Sequence, residues 1–76
     1  MPAAFIVINA EMGSEEEVLD ELKKLERVKE AYLVFGLYDI IVKVEADSME
    51  ELKDTVTWEL RKMNKVRSTL TMLVAK

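Results

Sequence analysis

The chain contains no cysteine and no histidine. The first absence excludes a disulfide framework and thiolate chemistry. The second removes the usual general base and the commonest metal ligand, so neither a metal site nor a cofactor is expected. Glutamine is missing as well, while glutamate and lysine are plentiful, a composition that fits a thermophilic source. Only two glycines and one proline occur, and no linker or low-complexity stretch is visible. No apolar run approaches the ~20 residues of a membrane span. The amino terminus has no basic region, because Met1-Pro2 leads straight into a strand-like run. A secretory leader is therefore not expected, and the expected location is cytoplasmic.

Positive charge is scarce too. Eleven Lys and Arg stand against fifteen Asp and Glu, a net charge of −4. A domain that neutralises phosphates needs the opposite balance, so direct nucleic-acid contact is not expected. Arg61, Lys62, Lys65 and Arg67 do cluster. They are read as complementing the negative end of a helix rather than as a phosphate patch.

Seventy-six residues make one domain, 1–76. Half of them are apolar and spread along the whole length, which argues against disorder. Residues 3–10 form a β-rich run with apolar residues on both faces, ended by Gly13. Ser14 and Glu17 have capping-box spacing and open a helix whose stripe is Val18, Leu19, Leu22 and Leu25. From Val28 to Phe35 the period becomes two. Ala31, Leu33 and Phe35 face one way, and Glu30, Tyr32 and Val34 the other. Gly36 then permits the positive φ of a tight hairpin connection. Ile40, Val42, Val44 and Ala46 form the inner face of the next strand. Ser48 and Glu51 make a second capping box, ahead of the stripe Leu52, Val56, Leu60 and Met63. Asn64 is the expected stop. The last run, from Val66 to Ala75, alternates: Leu70, Met72 and Val74 one way, and Arg67, Thr69, Thr71 and Leu73 the other.

The order β-α-β-β-α-β predicts an α+β, ferredoxin-like fold: a four-stranded antiparallel sheet with two helices on one face. Two helices cover one side of four strands. The other side carries Tyr32, Val34, Ile41 and Leu73, too apolar to stay solvated, and is expected to form a homodimer interface. Trp58 falls opposite its helix's buried stripe, as a lone surface residue or as an interface anchor.

The stretch Gly36-Leu37-Tyr38-Asp39 is the one place where polar chemistry interrupts the apolar runs. The Asp39 carboxylate can accept from a ligand ammonium, or it can bond backbone N–H groups of the turn. Thr69 and Thr71, two apart, share a face and can donate to a carboxylate, or serve simply as strand residues. Val34, Phe35 and Leu37 can line a pocket for an apolar side chain.

These elements, the Gly-x-Tyr-Asp turn and the late run Val66-Arg67-Ser68-Thr69-Leu70-Thr71 resemble the effector-binding RAM domain of the Lrp/AsnC, or feast/famine, transcription regulators. The resemblance covers nearly the whole chain and describes a stand-alone module without the helix-turn-helix domain. It implies dimers that pair through their sheets and assemble into rings of dimers. It also implies an amino-acid effector bound near Gly36, Leu37, Tyr38, Asp39, Thr69 and Thr71. Phe35 departs from the pattern, since it stands where the family typically carries a hydroxyl residue. The expected function is a small-metabolite-binding, oligomerising module of transcription regulation, and not an enzyme. The alternative is a ligand-independent scaffold that forms mixed oligomers with full-length regulators of the family.

Overall fold

A computed structural model describes residues 1–75. Six elements follow in order: β1 (Ala3–Ala10), α1 (Glu15–Lys23), β2 (Val28–Leu33), β3 (Ile40–Glu45), α2 (Met49–Asp54) and β4 (Val66–Leu73). All pairings are antiparallel, and the strands lie in the order β2-β3-β1-β4. This is the ferredoxin-like arrangement.

The core is built on one face of the sheet. Ala4, Ile6, Ile8 and Ala10 of β1 sit beside Val42, Val44 and Ile40 of β3, and all are buried. Val18 and Leu22 of α1 and Leu52 of α2 close over them. The expected stripes hold: Leu19, Leu25 and Met63 pack half-buried at the margin of this core.

The second helix does not stay α-helical. Thr55–Leu60 continues it as a π-helical segment, in which the Arg61 N–H donates to the Val56 carbonyl. Thr55 is fully buried, and its hydroxyl donates to the Glu51 carbonyl at 3.0 Å. Arg27 Nη1 donates to the same hydroxyl at 3.1 Å, and Arg27 Nη2 pairs with the Glu51 carboxylate at 3.3 Å. Side-chain donors crowd one carbonyl just where the helical ladder widens, as such bulges often require. Val56 and Leu60 keep their place in the core through the wider turn.

The structure corrects three expectations. Ser14 makes no side-chain cap bond, and its backbone is not in the extended conformation of a capping residue. Ser48, by contrast, accepts from the Glu51 N–H at 3.1 Å. The second strand ends at Leu33 and leaves Phe35 exposed. Third, the two faces of β4 are exchanged. Thr71 lies opposite Ile6 and Leu73 opposite Ala4, so Thr69, Thr71 and Leu73 look toward the helices. Leu70 and Met72, opposite Val7 and Phe5, occupy the open face instead. The register shift between Asn9 and Ala10 sets this parity, and a one-residue slip turns over every side chain beyond it. Leu73 therefore leaves the expected open-face set, while Tyr32 and Ile41 stand directly across from each other.

The serines give a paired test. Ser48→Ala should cost about 1 kcal/mol in urea unfolding, the usual loss of an N-cap. Ser14→Ala should stay within about 0.5 kcal/mol, as an ordinary surface change does.

Candidate functional site

Gly36 has φ +143°, in the region that favours glycine, and gives β2 its tight passage into β3. The turn is anchored at its far end. The Val34 N–H donates to the Asp39 carbonyl at 2.9 Å, and the Asp39 N–H donates to the Ile8 carbonyl at 3.0 Å. Asp39 is thereby held beside the end of β1. Its Oδ2 accepts from the Ala10 N–H at 2.9 Å. Ala10 shares its parity with Ile8, whose carbonyl turns toward β3, so the carboxylate satisfies a backbone N–H that lies beyond the last paired residue of that strand.

One carboxylate oxygen is thus committed to the fold. The other takes no hydrogen bond from the described residues. It borders a polar cleft of about 290 Å³ formed by Asn9, Ala10, Asp39, Arg67 and Ser68. Asn9 Nδ2 donates to Ser68 Oγ at 3.3 Å across the β1–β4 pair. Arg67 is exposed and takes part in neither ion pair found among the described residues, Arg27–Glu51 and Lys43–Glu45. On its other side Asp39 borders a second cleft, of about 320 Å³, with Leu33, Val34 and Phe35 on one wall and Glu15 and Glu16 on the other. The carboxylate stands at the junction of a polar and a largely apolar recess.

The expected ligand residues divide. Gly36 and Asp39 lie together at the turn. Leu37 is fully exposed and Tyr38 half-buried. Thr69 borders a neighbouring cleft with Arg61, Val66, Arg67 and Ser68. Thr71 opens onto a separate groove of about 230 Å³ between β4 and the second helix. Of the β4 hydroxyls, that of Ser68 shares the cleft with Asp39, because Ser68 shares its parity with Asn9 and the threonines do not. Asn9, Arg67 and Ser68 line the Asp39 cleft although the sequence reading does not place them there. Asn9 carries a signal, as the one polar residue within an apolar strand, and Arg67 belongs to the basic cluster.

The open face is largely apolar, with the Lys43–Glu45 ion pair and Glu30, which stands opposite Lys43, on one side and Asn9 and Ser68 at one end. Phe5, Val7, Tyr32, Ile41, Leu70 and Met72 share it with Lys43 and Glu45, which pair at 3.3 Å. Lys43 Nζ lies 5.9 Å from the centre of the Phe5 ring. The Tyr32 hydroxyl donates to the Glu30 carboxylate at 2.8 Å, and that bond raises the phenol above its usual pKa. Trp58 is exposed on the helix side, with Lys62 Nζ 4.8 Å from its ring centre, away from these clefts. No helix among the described residues is long and apolar enough to cross a membrane.

The described residues thus form a small ferredoxin-like sheet with a carboxylate-bearing glycine turn and polar clefts beside it. The family model of the Lrp/AsnC ligand binding domain matches residues 3–76, and the chain belongs to that family. It is similar to the HTH-type transcriptional regulator FL11 of Pyrococcus abyssi, with 36% identity over 73 residues, covering 96% of this chain and 48% of FL11. Among solved structures it resembles FFRP-DM1, at 43% identity and a TM-score of 0.95, covering 97% of this chain and 99% of that one. It also resembles AsnC of E. coli, at 28% identity and a TM-score of 0.91, covering 99% of this chain and 51% of AsnC. The chain spans about half the length of the curated relatives it matches. It is a regulatory ligand-binding module of a family of transcription regulators.

Because Asp39 latches β1, Asp39→Ala should destabilise the chain by about 1–3 kcal/mol in urea unfolding, the range for a charged hydrogen bond lost from a part-buried donor. The Ala10 amide should exchange faster in that variant than in the unmodified chain.

Proposed function

We propose that the module binds a free amino acid at Asp39 and couples that binding to assembly. An α-amino acid presents an ammonium and a carboxylate a few ångströms apart. The free oxygen of Asp39 accepts from the ammonium, while Arg67 and Ser68, on the same cleft, donate to the carboxylate. The juxtaposition of a half-committed carboxylate with an exposed guanidinium and a hydroxyl carries this reading. The ligand's side chain lies along Leu33, Val34 and Phe35, with Leu37, Tyr38 and Gly36 shaping the turn beside it. Glu15 and Glu16 on the facing wall disfavour acidic side chains. Thr69 borders the adjoining cleft and can extend the donor set, whereas Thr71 stands outside it.

The protein pairs with a second copy through the open face, where Tyr32 and Ile41 are joined by Phe5, Leu70 and Met72, with Val34 beyond the end of β2 at its margin. Dimers then associate further. Amino-acid binding beside a contact between dimers shifts that association by linkage. A full-length regulator of the same family fits as a partner, through mixed oligomers. The ligand-independent scaffold remains a second reading, favoured by the exposure of Phe35 and Leu37 at the turn tip.

A thermal-shift screen of the common amino acids at millimolar concentration tests the first reading. At least one uncharged or cationic amino acid should raise Tm, with aspartate and glutamate the weakest. Arg67→Ala, which removes no intrachain hydrogen bond described here, should abolish the shift. If no amino acid moves Tm while the protein still oligomerises, the scaffold reading prevails.

A further inference from the structure

The cations Arg61, Lys62, Lys65 and Arg67 are not spent on the fold. Among the described residues, none of their side chains donates a hydrogen bond to a helix carbonyl or joins an ion pair. Lys62 lies over the Trp58 ring. Arg61 and Arg67 border a cleft of about 380 Å³ with Val66, Ser68 and Thr69. Two guanidinium groups beside two hydroxyls form a donor set suited to an oxyanion. The whole chain carries a net charge of −4, so this local surplus of positive charge is not a general property of its surface.

The cleft adjoins the groove of about 230 Å³ between β4 and the second helix, because Arg61 borders both. The groove differs in character. Leu52 and Val56 line it from the helix, and Leu73 lines it from β4. Thr71 adds apolar atoms, since its hydroxyl is shut off from solvent. Lys53, Thr57 and Arg61 recur at every fourth residue along the rim. A lysine in such a place lays its stem on the apolar wall and keeps its ammonium in water. Leu73 looks toward the helices, yet it is 49% exposed, so the second helix does not close over this end of β4. Neither recess has a carboxylate among its lining residues.

We infer that these two recesses form one trough that binds an anionic amphiphile. Its head is an oxyanion, a carboxylate or a phosphate monoester, held by Arg61 and Arg67. Its body is an aliphatic chain lying along Leu52, Val56 and Leu73. A guanidinium fork donates two parallel bonds to such a head, and Ser68 and Thr69 add donors beside it. The chain covers apolar wall that one copy of the protein leaves open to water. This chemistry differs from that of the Asp39 cleft, which offers a carboxylate to an ammonium. Arg67 borders both sites, whereas Arg61 borders only the trough. The inference does not depend on amino-acid binding at Asp39, since its ligand needs no ammonium.

Titration of the isotope-labelled protein with octanoate and with octyl phosphate, followed through its amide resonances, tests this. At least one probe should bind saturably and move the Val56, Arg61, Thr69 and Thr71 amides. It should bind at least tenfold more tightly than octanol or inorganic phosphate, and the tighter of the two probes identifies the head group. Arg61→Gln should weaken that binding at least tenfold with far-UV circular dichroism unchanged, because the exposed side chain makes no hydrogen bond within the described residues. Thr57→Trp fills the groove from an exposed position and should block both aliphatic probes in a chain that still folds. Failure of both probes to bind overturns the inference. Equal affinity for octanol overturns it as well, since that marks an apolar contact without a head-group site. So do shifts confined to Phe5, Ile41 and Leu70 on the open face, or to Gly36 and Asp39 at the turn. Full affinity in Arg61→Gln would contradict it too.

Discussion

Two helices can cover only one face of four strands, and everything distinctive about this chain follows from that limit. The alternate residues of β1 and β3 are spent on the covered side, where Ala4, Ile6, Ile8, Ile40, Val42 and Val44 are all buried. The intervening positions then have to face outward. A small domain buries a modest share of its surface, so the apolar residues left over on the open face are a large fraction of what it has. Phe5, Ile41, Leu70 and Met72 sit there beside the Lys43–Glu45 pair and Glu30. The fold is complete as a core and incomplete as a surface.

The same limit places the polar site. The covered face is apolar, with Thr55 the one buried polar side chain among the described residues. Polar side chains collect at the end of the sheet, where pairing becomes irregular. The Ala10 N–H points toward β3 beyond its last paired residue, and Asp39 accepts from it, while the register shift of β1 against β4 brings Ser68 and Arg67 alongside. Asp39 therefore serves the fold with one oxygen and faces the cleft with the other. Structural and binding roles, which the sequence poses as alternatives for this residue, are compatible in one carboxylate.

Much of the architecture was legible from local patterns. Gly36 marked the hairpin, Ser48 with Glu51 marked the second helix, and the run Ile40 to Ala46 marked the inner face of β3. These signals are short-range, and nothing distant opposes them. The misreading of β4 had a long-range cause. Its alternation is unambiguous, but which half faces inward is decided by pairing with β1 across a bulge, and sequence periodicity holds no information on that phase. Leu70 and Met72 looked like core and are not, because the core closes without them. Ser14 shows a similar limit, since capping spacing is necessary for a cap but the backbone at Gly13 and Ser14 takes another path. The π-helical turn at Thr55 depends on Arg27, far away in sequence, and was invisible for that reason.

Family membership supplies the class of function, and the geometry supplies a reason for assembly that does not rest on relatives: an apolar face on a chain too small to hide it. Sedimentation equilibrium of the unmodified protein, from low micromolar to millimolar concentration, tests this most directly. The account predicts a mass of at least twice 8.8 kDa throughout that range. A single, well-folded 8.8 kDa species at every concentration would contradict it.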